Sequence, residues 1–153
     1  MTIIKQIGIF FLITLTYTVL WISGITLGIT IFGAETPGSS ASDGAVLGLM
    51  FAASALNSAV IMFAVANSRW RGGALTATLM AEIFGVQFFM SQIETLLFNR
   101  ALGLTLEFIF AIVFGGLIVA LGVAPLTVWL MGKMRGPTEP VTFERRGMLD
   151  YVW

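Results

Sequence analysis

Four long apolar runs separated by short polar stretches set the pattern of this 153-residue chain. They cover residues 7–32, 45–66, 74–98 and 104–131. Each meets the requirement of about 20 mostly apolar residues for a helix that crosses a bilayer. A spanning β-strand would be about 9–11 residues long with strict alternation, and no segment reads that way. The pattern predicts an all-α integral membrane four-helix bundle over residues 1–132, with a tail over 133–153. The first run is longer than the roughly 7–15-residue core of a secretory signal, and no small-residue cleavage site follows it, so it is expected as a retained helix.

The polar stretches between the runs carry the orientation. Lys5, Arg69, Arg71, Lys133, Arg135, Arg145 and Arg146 fall on one side of a four-span arrangement. Arg100 falls on the other, with Glu35, Asp43 and Glu107. The positive-inside rule then puts both termini in the cytoplasm, and the expected location is a bacterial inner membrane. Residues 33–44 have the Pro, Gly, Ser and Asp content of a solvated loop. Pro125 is expected to bend the fourth helix near its end. Trp70 and Trp129 suit the cytoplasmic interface, whereas Trp21 lies well inside the first run. The tail ends on Met148-Leu149-Asp150-Tyr151-Val152-Trp153. That apolar finish reads either as a membrane-surface segment or as the start of a further membrane segment beyond a truncated tail.

Composition narrows the chemistry. Of all residues, 58% are hydrophobic and 10% charged, and the net charge is zero, so no basic footprint for nucleic acid exists. Cysteine and histidine are both absent. This excludes disulfides, thiol nucleophiles, zinc sites built on His or Cys, haem ligation through them, and Ser-His or Cys-His catalysis. No cofactor and no metal site is expected. The expected partners are the lipid bilayer and either further copies of the chain or another membrane subunit.

Small residues mark packing faces. Gly24 and Gly28 form a GxxxG, with weaker small pairs at Gly116–Ala120 and Ala55–Ala59. They serve close packing within the chain or a homodimer face, and the first is favoured. Thr14, Thr16, Thr18, Thr26 and Thr30 are expected to bond carbonyls of their own helix. Asn57, in the middle of the second run, calls for an interhelical partner, expected at Glu82 or Gln87.

The third run holds the candidate site. Residues 81–99, AEIFGVQFFMSQIETLLFN, put Glu82, Gln87, Ser91, Gln92 and Glu94 into an otherwise apolar span. A carboxylate at the centre of a span costs roughly 2.5–3.5 kcal/mol on insertion scales. On an α-helical wheel Thr78, Glu82, Gly85, Phe89 and Gln92 share one side, and Gln87, Ser91 and Glu94 another, more than about 100° away. Two polar stripes on one helix predict a central position for it, as the polar hub of the bundle. Glu82 falls near mid-membrane. Hydrocarbon disfavours the charged form of a carboxyl group, so Glu82 is expected to act as a hydrogen-bond donor. Glu94 and Glu107 fall at the opposite end and are expected to form an acidic mouth.

Residues 88–99, FFMSQIETLLFN, resemble a segment of uncharacterised bacterial polytopic membrane proteins, in which an Arg-Trp-Arg-like turn, here Arg69-Trp70-Arg71, precedes the helix. Gly132-Lys133-Met134 at the end of the fourth run also fits. The resemblance brings no activity with it. It implies a longer chain and ranks Gln92, Glu94 and Thr95 ahead of Glu82. The expected function is non-catalytic, a structural, assembly or regulatory membrane component. The alternative is a small oligomeric ion- or proton-coupled transporter working through Glu82 and Glu94, and an intramembrane enzyme is the least supported reading.

Overall fold

The computed structural model describes residues 3–35, 43–98 and 103–136. They form four helices, and among the described residues there is no strand. Helix α1 is Ile3–Phe32, α2 is Asp43–Asn67, α3 is Gly72–Leu97 and α4 is Leu106–Leu130. All four are long and apolar enough to cross a membrane. The ends differ from the expected bounds by a few residues, for local reasons. Lys5 and Gln6 do not stop α1, since both side chains stand exposed at its first turn. Helix α4 starts at Leu106 because Thr105 caps it, its side chain accepting from the Phe108 backbone N–H. Helix α4 continues through Pro125 to Leu130, the ring costing one backbone donor near the helix end.

The chain runs up and down. Helices α1 and α4 pack antiparallel, with Gly24 against Gly115, Gly28 against Ala111, and Leu20 against Gly122. A Cβ added to Gly24 would lie 2.8 Å from the Gly115 Cα, and one on Gly28 would lie 2.7 Å from the Ala111 carbonyl oxygen. Lipid tails are as apolar as leucine, so helices in a bilayer associate by close van der Waals approach, and glycine permits it. The GxxxG of α1 is thus used inside the chain. Of the weaker pairs, Gly116 and Ala120 are buried, whereas Ala59 is exposed, so Ala55–Ala59 is not a buried pair within the chain.

Helix α4, not α3, is the packing centre. It contacts α1 along its length and also meets α3 and α2. Its most apolar stretch is 44% buried, against 22–28% for the other three. Small side chains decide this, because Ala111, Gly115, Gly116, Ala120 and Ala124 let neighbours close in on it. Helix α2 packs on α1 through Ser54, Ser58, Ile61 and Val65, a buried stripe at helical spacing. Helix α3 packs on α4. The core joins Ile9, Ile13 and Tyr17 of α1 with Ile61 and Val65, Leu79, Ile83 and Phe88, and Val119 to Val128 of α4.

One end of the bundle is knotted together by backbone groups. The Lys133 ammonium donates to the carbonyls of Ala66 and Ser68, so it neutralises the C-terminal end of α2. The Gly72 N–H donates to the Lys133 carbonyl at 2.9 Å and ties the start of α3 to the end of α4. Gly72 has φ +59, and an added Cβ there would crowd the Met134 carbonyl oxygen at 3.3 Å. Trp70 and Trp129 are exposed at this basic end, while Trp21 is drawn inward.

Candidate functional site: a polar chain across three helices

Helix α3 is not uniformly α-helical. Gly72–Ala81 and Ser91–Leu97 are α, and Glu82–Met90 between them is a π-helix. A π-helix closes its hydrogen bonds from i to i+5, which brings a residue near the one five positions on. On an ideal α-helix Glu82 and Gln87 would point about 140° apart. In the structure the Gln87 Nε2 donates to the Glu82 Oε1 at 3.2 Å. The two polar stripes expected from the α-helical wheel therefore do not stay apart. Gln87 belongs with Glu82, whose Oε1 accepts from it.

From Gln87 the chain continues into α1. The Tyr17 hydroxyl donates to the Gln87 Oε1 at 2.9 Å. The Tyr17 hydroxyl oxygen in turn accepts from the Asn57 Nδ2 of α2 at 3.2 Å. Asn57, Tyr17, Gln87 and Glu82 thus form one continuous polar chain over α2, α1 and α3. The expected partner of Asn57 is corrected here. Tyr17 stands between Asn57 and Gln87 in the hydrogen-bonded chain. Tyr17 is fully buried, and sequence reasoning passed over it. Its position eight residues after Ile9 and four after Ile13, on the face that continues to Gly24, was the available signal.

Aromatic rings enclose the chain. Tyr17 stacks on Phe88 with centroids 6.5 Å apart, and Trp21 meets both edge-on at 6.2 and 6.0 Å. Phe88 sits in a notch over Gly116, where an added Cβ would come within 2.2 Å of the Phe88 Cγ. The glycine makes room for the ring. Further along α3, Ser91 Oγ bonds the carbonyls of Gln87 and Phe88, and Gln92 Nε2 donates to Ser91 Oγ at 3.2 Å. Ser91 therefore satisfies carbonyls at the end of the π segment, a local role consistent with serine inside a helix. Thr95 likewise bonds the Ser91 carbonyl.

Several polar atoms near this chain have no hydrogen-bond partner among the described residues. They are Thr14 Oγ1, Trp21 Nε1, Ser58 Oγ and Gln92 Oε1. Thr18, Thr26 and Thr30 do bond carbonyls of their own helix, but Thr14 departs from that expectation.

The structure does not bring Glu94 and Glu107 to the polar chain. Glu94 is exposed on the last segment of α3, and Glu107 is exposed in the first turn of α4. Arg100, the turn at 99–102 and the tail from 137 lie outside the described residues, as does the Asp43 side chain. Among the described residues no group of three acidic side chains could hold a metal ion.

A groove reaches the acidic end of the polar chain. Helix α2 packs mainly on α1 and α3 mainly on α4, and between α2 and α3 lies a cavity of about 300 Å³. Val60 and Ala64 of α2 form one wall, and Leu75, Thr78 and Leu79 of α3 the other. It runs from Ser68 and Trp70 in the α2–α3 connection to Glu82. Glu82 is the eleventh residue of α3 from the basic end, about 15 Å from the first at 1.5 Å per residue, which is half of a bilayer core of about 30 Å.

No family model, curated protein or solved structure matches this chain.

Proposed function

We propose that this chain is a non-catalytic, multi-pass membrane component, structural, regulatory or an assembly partner, in which the Asn57–Tyr17–Gln87–Glu82 chain acts as a polar clasp. The single observation that carries this reading is the continuity of that chain. Two hydrogen bonds link three helices, a third joins Gln87 to Glu82 within α3, and each of the four side chains is engaged. Interhelical hydrogen bonds in a bilayer contribute about 0.6 kcal/mol each, up to about 1.7. They also fix register, because only one rotation of each helix aligns donors with acceptors. This matters where greasy faces alone specify little. The reading includes a bacterial inner membrane with both termini in the cytoplasm, supported by the concentration of Lys and Arg on one side.

A second reading, an oligomeric ion- or proton-coupled transporter, is supported by the groove that reaches Glu82. Reconstitution into proteoliposomes separates the two. The clasp reading expects that proton and alkali-cation flux through the protein does not exceed that of empty liposomes, and that Glu82→Gln keeps the fold because glutamine can still accept from Gln87. Flux that Glu82→Gln or Glu94→Gln abolishes in a folded protein would overturn it. Co-purification after gentle solubilisation then distinguishes a subunit, held by a stable partner, from a self-assembling bundle.

A further inference from the structure

From the groove between α2 and α3 we infer a binding site for a small lipophilic monocation, a protonated amine on an aromatic or aliphatic body, with Glu82 as its counter-charge. The inference goes beyond the clasp and does not depend on it. The walls set the body of the ligand. Val60, Ala64, Leu75 and Leu79 present apolar surface, and Trp70 offers an aromatic ring near the basic end. An apolar cavity of roughly 150 Å³ takes benzene, so the groove, at about 300 Å³, admits a fused two-ring body. That volume stands at the lower end of ordinary ligand sites.

The deep end sets the head of the ligand. Among the described residues Glu82 is the one acidic side chain lining the groove, and Gln87 supplies a neutral donor to its Oε1. An acyl chain would offer the Glu82 carboxyl group nothing polar, which is costly in hydrocarbon. A second copy of this chain cannot cover it with a charge either. All eight Lys and Arg residues lie outside the apolar runs that span at this depth. The cations nearest the groove are turned elsewhere. Lys133 is held by the Ala66 and Ser68 carbonyls, Arg71 lies against Gly136, and Arg69 is exposed and does not line the groove. A protonated amine satisfies both ends, pairing with the carboxylate in a low dielectric and filling the apolar walls. A second apolar cavity of about 330 Å³, between Ile7, Phe10, Met62 and Phe63, has no acidic side chain among the described residues of its lining and carries no such specification.

The test uses the full chain in phosphatidylcholine nanodiscs, with empty nanodiscs as the partition control. Two probes of matched shape are titrated by calorimetry, 2-naphthylmethylammonium and its neutral counterpart 2-naphthylmethanol. The expected result is saturable binding, with the ammonium about tenfold tighter than the alcohol. Glu82→Gln keeps an acceptor for Gln87 and removes the charge, so it should abolish that preference while the melting temperature stays near wild type. Ala64→Phe, at an exposed position on the α2 wall, should weaken both probes. Equal binding of the two probes to wild type would mean a groove that suits an acyl chain, and would overturn the inference. A preference that survives Glu82→Gln would overturn it too. If Glu82→Gln fails to fold, a folded Ala64→Phe that binds the ammonium as wild type does has the same consequence. Failure of the clasp shows in stability rather than in this ratio, so the two ideas fail separately.

Discussion

Tyr17→Phe is the sharpest perturbation of the polar chain. It removes one oxygen and leaves the ring, so the contacts with Phe88 and Trp21 persist. The lost hydroxyl both donates to Gln87 and accepts from Asn57. Two interhelical bonds at about 0.6–1.7 kcal/mol each give a loss of about 1–3 kcal/mol. Part of it arises because Gln87 Oε1 and Asn57 Nδ2 are left unpaired in a dry environment. Asn57→Ala removes only one of the two bonds and should cost about half as much, beyond its own loss of packing. In a double-mutant cycle the pair should couple by about 0.5–1.5 kcal/mol, because once the hydroxyl has gone the amide has little left to lose. The assay is reversible unfolding in mixed detergent micelles with increasing SDS, followed by far-UV circular dichroism. A Tyr17→Phe protein within about 0.3 kcal/mol of wild type, with no coupling to Asn57→Ala, would refute the clasp.

Other substitutions probe other parts of the argument. Gly116→Ala drives a methyl into the Phe88 ring and should destabilise by about 1–3 kcal/mol; Phe88→Leu on top should restore part of the loss, and an additive pair would place Phe88 elsewhere. Gly24→Ala meets the backbone of Gly115, which has no side chain that can yield, so the α1–α4 pair should open and the melting temperature fall; an unchanged melting temperature contradicts the packing. Lys133→Met removes the cation from the end of α2 and should cost about 0.5–1.5 kcal/mol, seen as faster amide exchange at Ala66–Ser68, whereas unchanged exchange would show the cap to be idle. Glu94→Gln and Glu107→Gln change exposed groups outside the polar chain and should leave stability within about 0.5 kcal/mol; a larger loss in the SDS titration would bring these acids back into the bundle.

The apolar runs by themselves determined that the chain makes four helices of spanning length, and roughly where each begins and ends. Run length against bilayer thickness is a one-dimensional quantity, so it is legible in order along the chain. Glu82, Gln87, Ser91 and Asn57 were visible for a similar reason: a polar side chain in an apolar run is conspicuous whatever it touches. What they touch was not visible. The α-helical wheel assigned Glu82 and Gln87 to different faces because it assumes one period, and the π segment from Glu82 to Met90 changes that period. Tyr17 escaped notice because a tyrosine among Ile, Leu and Thr looks like ordinary amphipathic filling until Asn57 and Gln87 arrive at its hydroxyl from two other helices. The centre of the bundle also shifted, from α3 with its polar groups to α4 with its small ones. Composition marks where hydrogen bonds are needed, but close approach in lipid is decided by which helices present glycine and alanine to each other, as Gly24 and Gly28 do to Gly115 and Ala111. That matching involves residues about 90 positions apart, and only the tertiary structure brings them together.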